Sequence, residues 1–121
     1  MIISIGTDIT EISRFENTSQ KFIEKIFTPL EIDYLSKKAK KNLESMAGLF
    51  AAKEAIAKCL GTGFKIFTAH DIEILHDKKN APFVKLHNDA LKISLQLKIT
   101  DIKVTISHEK KYAIAFAIAQ N

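Results

Sequence analysis

The sequence predicts an α+β fold in which an antiparallel sheet packs on one long buried helix. Three observations carry the prediction. The stretch 42–60 reads as a helix whose apolar residues surround nearly its whole circumference. The segments 102–108 and 112–119 alternate with the period of a strand and flank a tight Glu109-Lys110-Lys111 turn, which makes them a hairpin. The segment 2–8 is rich in Ile and reads as a further, N-terminal strand. A length of 121 residues, 46% hydrophobic and 26% charged, fits one domain over 1–121 with a core that needs no staples.

The elements follow in order. After strand 2–8, the amphipathic stretch 9–27 holds a turn and a short helix, with Phe15, Phe22, Ile23, Ile26 and Phe27 as its apolar members. Thr28-Pro29-Leu30-Glu31 starts a helix: Thr caps, Pro suits the first helical position, and Glu31 stands at the capping-box position. That helix runs over 31–41, with its basic end at the C-terminus where the macrodipole favours cations. The next runs from Asn42 to Leu60, with Gly61 as terminator. The segments 70–76 and 81–87 read as strands around the turn 77–80. The segment 88–97 matches helical spacing only in part, with Asn88 or Asp89 as its cap.

Composition narrows the function. Four Gly and two Pro exclude collagen-like and low-complexity chains. A lone cysteine, Cys59, excludes an internal disulfide framework or a Cys-based zinc cluster, and implies a reducing compartment. No apolar run is long enough to span a membrane, and Asp8 comes too early for a signal peptide, so a cytoplasmic protein is expected. A net charge of +4 points to an anionic partner: nucleic acid, a phosphorylated small molecule or an acidic protein. All but one of the 18 basic residues are Lys, and they are scattered rather than interleaved with aromatics, which disfavours nucleic acid.

A few polar residues fit a structural role poorly. On the 42–60 helix, Leu43, Ala47, Phe50 and Ala57 share one arc, and Leu49, Ala52, Ile56 and Leu60 another. Glu54 falls in the middle of the first arc, and Lys58 lies one turn on. Buried charges need partners. Either the two form an ordinary i,i+4 pair, or Glu54 holds a metal and Lys58 a phosphate. Asp8 ends the first strand on the side of Gly6, a residue that lets a backbone or a ligand come close. It either accepts turn hydrogen bonds or meets Glu54 around a cation, with magnesium the fitting ion. Gly61-Thr62-Gly63 is a C-cap turn or a backbone nest for phosphate. His108 closes a strand, and Cys59 reads as packing.

Taken together, the segments 5–15, 50–63, 71–74 and 104–118 resemble the holo-acyl-carrier-protein synthases, small bacterial 4'-phosphopantetheinyl transferases, over essentially the full chain. The resemblance implies a 4'-phosphopantetheinyl transferase-like α+β fold. It implies transfer of 4'-phosphopantetheine from coenzyme A to a serine of apo acyl carrier protein in fatty-acid biosynthesis, with release of adenosine 3',5'-bisphosphate. It implies Mg2+ on Asp8 and Glu54, with Lys58 on the coenzyme A phosphates and Gly61, Thr62 and Gly63 near the nucleotide. His108 is implied at the 3'-phosphate end. Arg14 would grip the acidic carrier protein, with Lys21 and Lys25 steering it. The serine proton would go to Glu54, directly or through water. A homotrimer with sites at subunit junctions is also implied. Asn80-Ala81-Pro82 departs from the Gly-Lys-Pro of many members, so no cofactor contact is assigned to Ala81. A coenzyme A-binding module without transfer, or a basic nucleic-acid-binding domain, would share parts of this pattern.

Overall fold

The computed structural model describes residues 1–38 and 42–121. Three strands form the main antiparallel sheet: β1 (Ile2–Glu11), β4 (Asp101–His108) and β5 (Tyr112–Gln120), in the order β1-β5-β4. The hairpin expected from 102–108 and 112–119 is present, with Ile106 opposite Ala115. Its turn is fixed by Glu109, whose Oε1 accepts the N–H groups of Lys111 and Tyr112 at 2.7 and 3.0 Å. The first strand is longer than expected. It continues past Asp8 to Glu11, because β5 supplies backbone partners as far as Tyr112. Asp8 is therefore an interior strand residue, not a strand end.

Helix α3 (Asn42–Leu60) has the bounds the sequence predicts and crosses the inner face of this sheet. The central strand explains how close it comes. Ala113, Ala115, Ala117 and Ala119 of β5 face inward and are buried, so only methyl groups separate strand from helix. The alternate residues Tyr112, Ile114 and Phe116 face outward and stay exposed, as do Ile5 and Ile9 of β1. At Gly6 the approach is closest: a Cβ there would lie 1.9 Å from the carbonyl oxygen of Ala55 on α3. The neighbour that Gly6 admits is thus the helix backbone.

The remaining elements close the ends of α3. A 3-10 turn at Ile12–Phe15 leads into α1 (Gln20–Ile26), capped by Ser19. Helix α2 (Pro29–Ser36) opens with the expected capping box between Thr28 and Glu31. It ends at Ser36, short of the predicted 31–41; of the remainder, 39–41 lie outside the described residues. A second, two-stranded sheet pairs β2 (Ile72–His76) with β3 (Pro82–Leu86). Asn80 in their turn has φ 65°, a left-handed conformation that Asn tolerates better than most residues. Helix α4 (Asn88–Gln96) is regular, but its N-cap is His87 rather than Asn88 or Asp89. Asn88 instead takes φ 49° and donates its amide to Asp71 Oδ1 at 3.0 Å. Of the apolar residues at 91, 93, 95 and 97, only Ile93 is buried. Among the described residues no helix is long and apolar enough to cross a membrane.

Candidate functional site

The close contact of β1 with α3 positions the site. Asp8 is two residues beyond Gly6 on the same face of β1, and Lys58 is one turn beyond Glu54 on α3. Where the two elements touch, these side chains converge. Lys58 Nζ lies 3.6 Å from Asp8 Oδ1 and donates to the Thr7 carbonyl at 2.6 Å. Asp8 Oδ2 accepts the Thr10 hydroxyl at 2.8 Å, which fixes the carboxylate. Glu54 is half-buried beside them. Burial, and then the nearby charge of Asp8, push its carboxyl above the usual range, against the pull of Lys58 and Arg14. Lys58 itself is exposed, contrary to the buried position expected, and its ion-pair partner is Asp8 in place of Glu54.

Two converging carboxylates suit a cation. Among the described residues no group of three or more His, Cys, Asp or Glu is placed to share an ion. Asp8 and Glu54 would therefore supply two ligands and leave the rest to water and substrate oxygens, a donor set that fits Mg2+. At the end of α3, Gly61 and Gly63 take φ 83° and 61°, conformations closed to most side chains. The Gly61 N–H caps the helix on Ala57 and Lys58 carbonyls, so the C-cap reading holds there.

On its other side Glu54 borders a cleft of about 480 Å³, lined also by Arg14, Phe22, Lys25, Phe50 and Phe64. The Arg14 guanidinium stands over the Phe50 ring, 5.1 Å from its centroid, so phenylalanine rings and the two cations frame one opening. Lys21 is exposed on the same short helix as Lys25.

The fold does not bring His108 to this group. Asp8 and Ile106 both register with Ala115, on opposite sides of β5, so His108 stands across the sheet. There its Nδ1 lies 3.5 Å from Glu44 Oε2, roughly 15 Å along α3 from Glu54 at the usual helical rise. It lines a second cavity, of about 190 Å³, with Tyr34, His76, Asn80 and Pro82. The Tyr34 and His76 rings stack there with centroids 3.9 Å apart. Burial and then Lys38 push the His76 imidazole down.

The reading of α3 also passed over its most buried charge. Lys53 has Leu49, Ile56 and Ala57 as its helical neighbours, the same signal that singled out Glu54. Its ammonium pairs with Glu31 Oε1 at 2.8 Å, and burial pushes its pKa down against the raising influence of Glu31. Next to it, Glu73 accepts the Thr28 hydroxyl at 2.6 Å and meets His87 Nε2 at 3.0 Å.

A buried helix delivers a carboxylate toward a strand aspartate, with a lysine one turn on and a glycine turn after it, an arrangement whose charges suit a cation and an anionic ligand. Residues 4–117 match the 4'-phosphopantetheinyl transferase superfamily. The holo-[acyl-carrier-protein] synthase of Thermoanaerobacter sp. (strain X514) is 48% identical over 122 residues, covering 98% of this chain and 88% of that protein. The crystal structure of holo-[acyl-carrier-protein] synthase from Neisseria meningitidis superposes with a TM-score of 0.88 at 33% identity, over 100% of both chains. That of the Helicobacter pylori synthase in complex with coenzyme A superposes with a TM-score of 0.83 at 34% identity, over 96% of this chain and 99% of that one. The chain belongs to the holo-[acyl-carrier-protein] synthases of the 4'-phosphopantetheinyl transferase superfamily, and it is an enzyme.

Proposed function

We propose that this protein transfers 4'-phosphopantetheine from coenzyme A to a serine of apo acyl carrier protein. The observation that carries the reading is the meeting of Asp8, Glu54 and Lys58 beside a cleft framed by Arg14 and Lys25. The Helicobacter pylori relative bound to coenzyme A supports the choice of donor.

Each residue then has a task. Asp8 and Glu54 would hold Mg2+, which when bound offsets the charge of the coenzyme A pyrophosphate. Lys58 is exposed and reaches Asp8, so its ammonium is free to swing onto a phosphate and to stabilise the departing adenosine 3',5'-bisphosphate. The turn of Gly61, Thr62 and Gly63 would lie near the nucleotide, with the Gly61 N–H already spent on the end of α3. The Glu54 carboxyl, which burial and Asp8 push above its usual range, is the group to accept the serine proton, directly or through water. Arg14, Lys21 and Lys25 steer an acidic carrier protein, while Phe22 and Phe50 offer it an apolar seat.

The placement of His108 supports a homotrimer. On one chain it stands on the far side of the sheet from Asp8 and Glu54, yet its proposed task is at the 3'-phosphate of the same coenzyme A. A head-to-tail ring of copies unites the two halves, His108 of one copy joining Asp8 and Glu54 of the next. The exposed Ile5, Ile9, Tyr112, Ile114 and Phe116 supply the apolar face such a ring would bury. The substrate, coenzyme A, sets the reaction in the cytoplasm.

The test is intact mass spectrometry of an apo carrier protein incubated with coenzyme A, Mg2+ and this protein. The expected result is a gain of one phosphopantetheine, abolished by a chelator and accompanied by adenosine 3',5'-bisphosphate. Coenzyme A binding without any mass gain defeats the reading in favour of a binding module.

A further inference from the structure

Lys53 carries its charge in the driest part of the molecule. Its side chain is 1% exposed, and all three ammonium protons are used. They go to Glu31 Oε1 at 2.8 Å, the Ala69 carbonyl at 2.8 Å and the Ile72 carbonyl at 2.7 Å. Glu31 is saturated in turn. Its Oε1 also accepts the Thr28 N–H, and its Oε2 accepts the Ile74 N–H, both at 2.8 Å. The Phe27 ring lies 5.9 Å from the ammonium. One ion pair thus fastens the middle of α3 to the start of α2 and to the chain over 69–74.

Stability alone explains such a pair poorly, because apolar side chains of similar volume often serve as well. What the pair fixes is geometry. Lys53 immediately precedes Glu54 on α3, and both line the 480 Å³ cleft. The chain that Lys53 grips is the return from Gly61-Thr62-Gly63, and Phe67, Thr68 and Ala69 of that return form part of the cleft wall. All three Lys53 ammonium protons are spent on Glu31 and on the Ala69 and Ile72 carbonyls, so what Lys53 does for Glu54 it does through position.

We infer that Lys53, clamped by Glu31, is a positioning residue that sets Glu54 against the cleft wall over 67–69, so that the carboxylate meets the incoming serine hydroxyl. The inference rests on the transferase reading. Removing the clamp lets α3 and the wall shift by fractions of an ångström, which lowers turnover without touching the groups that hold either substrate.

The experiment compares wild type with Lys53→Met, Glu31→Gln and the Lys53→Met/Glu31→Gln double variant. Thermal melts accompany transfer kinetics, each taken well below the variant's own midpoint. An inactive wild type sinks the transferase reading and this inference with it. With wild type active, Lys53→Met leaves Glu31 buried and unpaired and melts far lower. The double variant removes both charges and regains much of that loss. Its kcat is expected at about a tenth of wild type or below, with KM for coenzyme A and for carrier protein within about twofold. A purely structural role predicts that kcat returns with the melting temperature. A folded double variant with wild-type kcat therefore overturns the proposal. If neither Lys53 variant folds, Glu31→Gln decides: its one oxygen keeps an acceptor for the ammonium, while its amide nitrogen faces the Ile74 N–H and loosens the clamp. A lowered kcat at unchanged KM then supports the proposal, and an unchanged kcat overturns it.

Discussion

Replacing Gly6 with Ala tests how the site is assembled. The new Cβ would stand 1.9 Å from the Ala55 carbonyl oxygen, 2.9 Å from its carbon and 3.2 Å from Lys58 Cβ. Real Cβ atoms essentially never come within 3.0 Å, so strand and helix would have to part by more than 1 Å. The obstacle is main chain inside a buried helix, which no rotamer change relieves. Overpacking of a core costs about 1–3 kcal/mol, and a backbone clash belongs at the upper end. For a domain of this size that is a fall of roughly 10 °C in melting temperature. Asp8 rides on the displaced strand, and Glu54 and Lys58 on the helix. A misplacement of about 1 Å between reacting groups is worth up to ~100-fold in rate. The contrast is Gly48→Ala, whose Cβ would meet only the Cγ2 methyl of Ile106, at 2.9 Å. That methyl yields less than a side-chain tip would, but it is not main chain and Ala favours the helix by about 1 kcal/mol, so stability should fall less than for Gly6→Ala and turnover should stay close to wild type. Circular-dichroism melts and mass-spectrometric transfer rates read both variants. A Gly6→Ala protein that melts with the parent and transfers at the parent rate refutes this account of the site.

Other outcomes follow from the same geometry. Glu54→Gln should abolish transfer yet raise the melting temperature of the metal-free protein near neutral pH. The sign follows from the raised carboxyl: stability from Glu54 is present at acid pH and lost as pH rises through its elevated pKa. The melting difference between variant and wild type should therefore vanish below about the ordinary Glu value of 4.5 and open toward neutrality; an equal gap at every pH contradicts the shift. Asp8→Ala should likewise end transfer in a folded protein, and full turnover at saturating Mg2+ would remove Asp8 from the site. Arg14→Glu should raise the carrier-protein KM by about tenfold at low salt and leave that for coenzyme A unchanged, an effect that salt should erase. Phe116→Lys places a charge on the exposed sheet face. Light scattering should then report monomers, and transfer should fall with assembly; an unchanged trimer would clear that face of the interface.

The architecture was legible where a single period dominates. Helix α3 and the β4–β5 hairpin stood out because one is apolar all round and the other alternates strictly. Asp8, Glu54 and Lys58 stood out because they interrupt those patterns, and the structure brings them together. Other features depend on partners that no local window contains. Strand β1 runs on past Asp8 through Thr10 and Glu11 because β5 pairs with it, although the sequence alone ends that strand at Asp8. Asn88 looked like a cap, but Asp71 draws its amide away. Lys53 was hidden because its answer, Glu31, sits on another helix and was already accounted for as a capping-box residue. The separation of His108 from Glu54 depends on the strand order, which spacing along the chain does not encode.

The alternation along β5 has a consequence for how this domain can change. Its inward alanines set the distance from sheet to α3, and its outward Ile114 and Phe116 face away from the chemistry. A single-residue slip of that strand would drive bulky rings under the helix and break the site at once, so the pairing is held by steric exclusion as well as by hydrogen bonds. The outward positions answer to a second constraint, because the proposed ring would bury them. One strand would then serve two contacts at once, its alanines spacing the helix and its large side chains meeting a neighbouring copy.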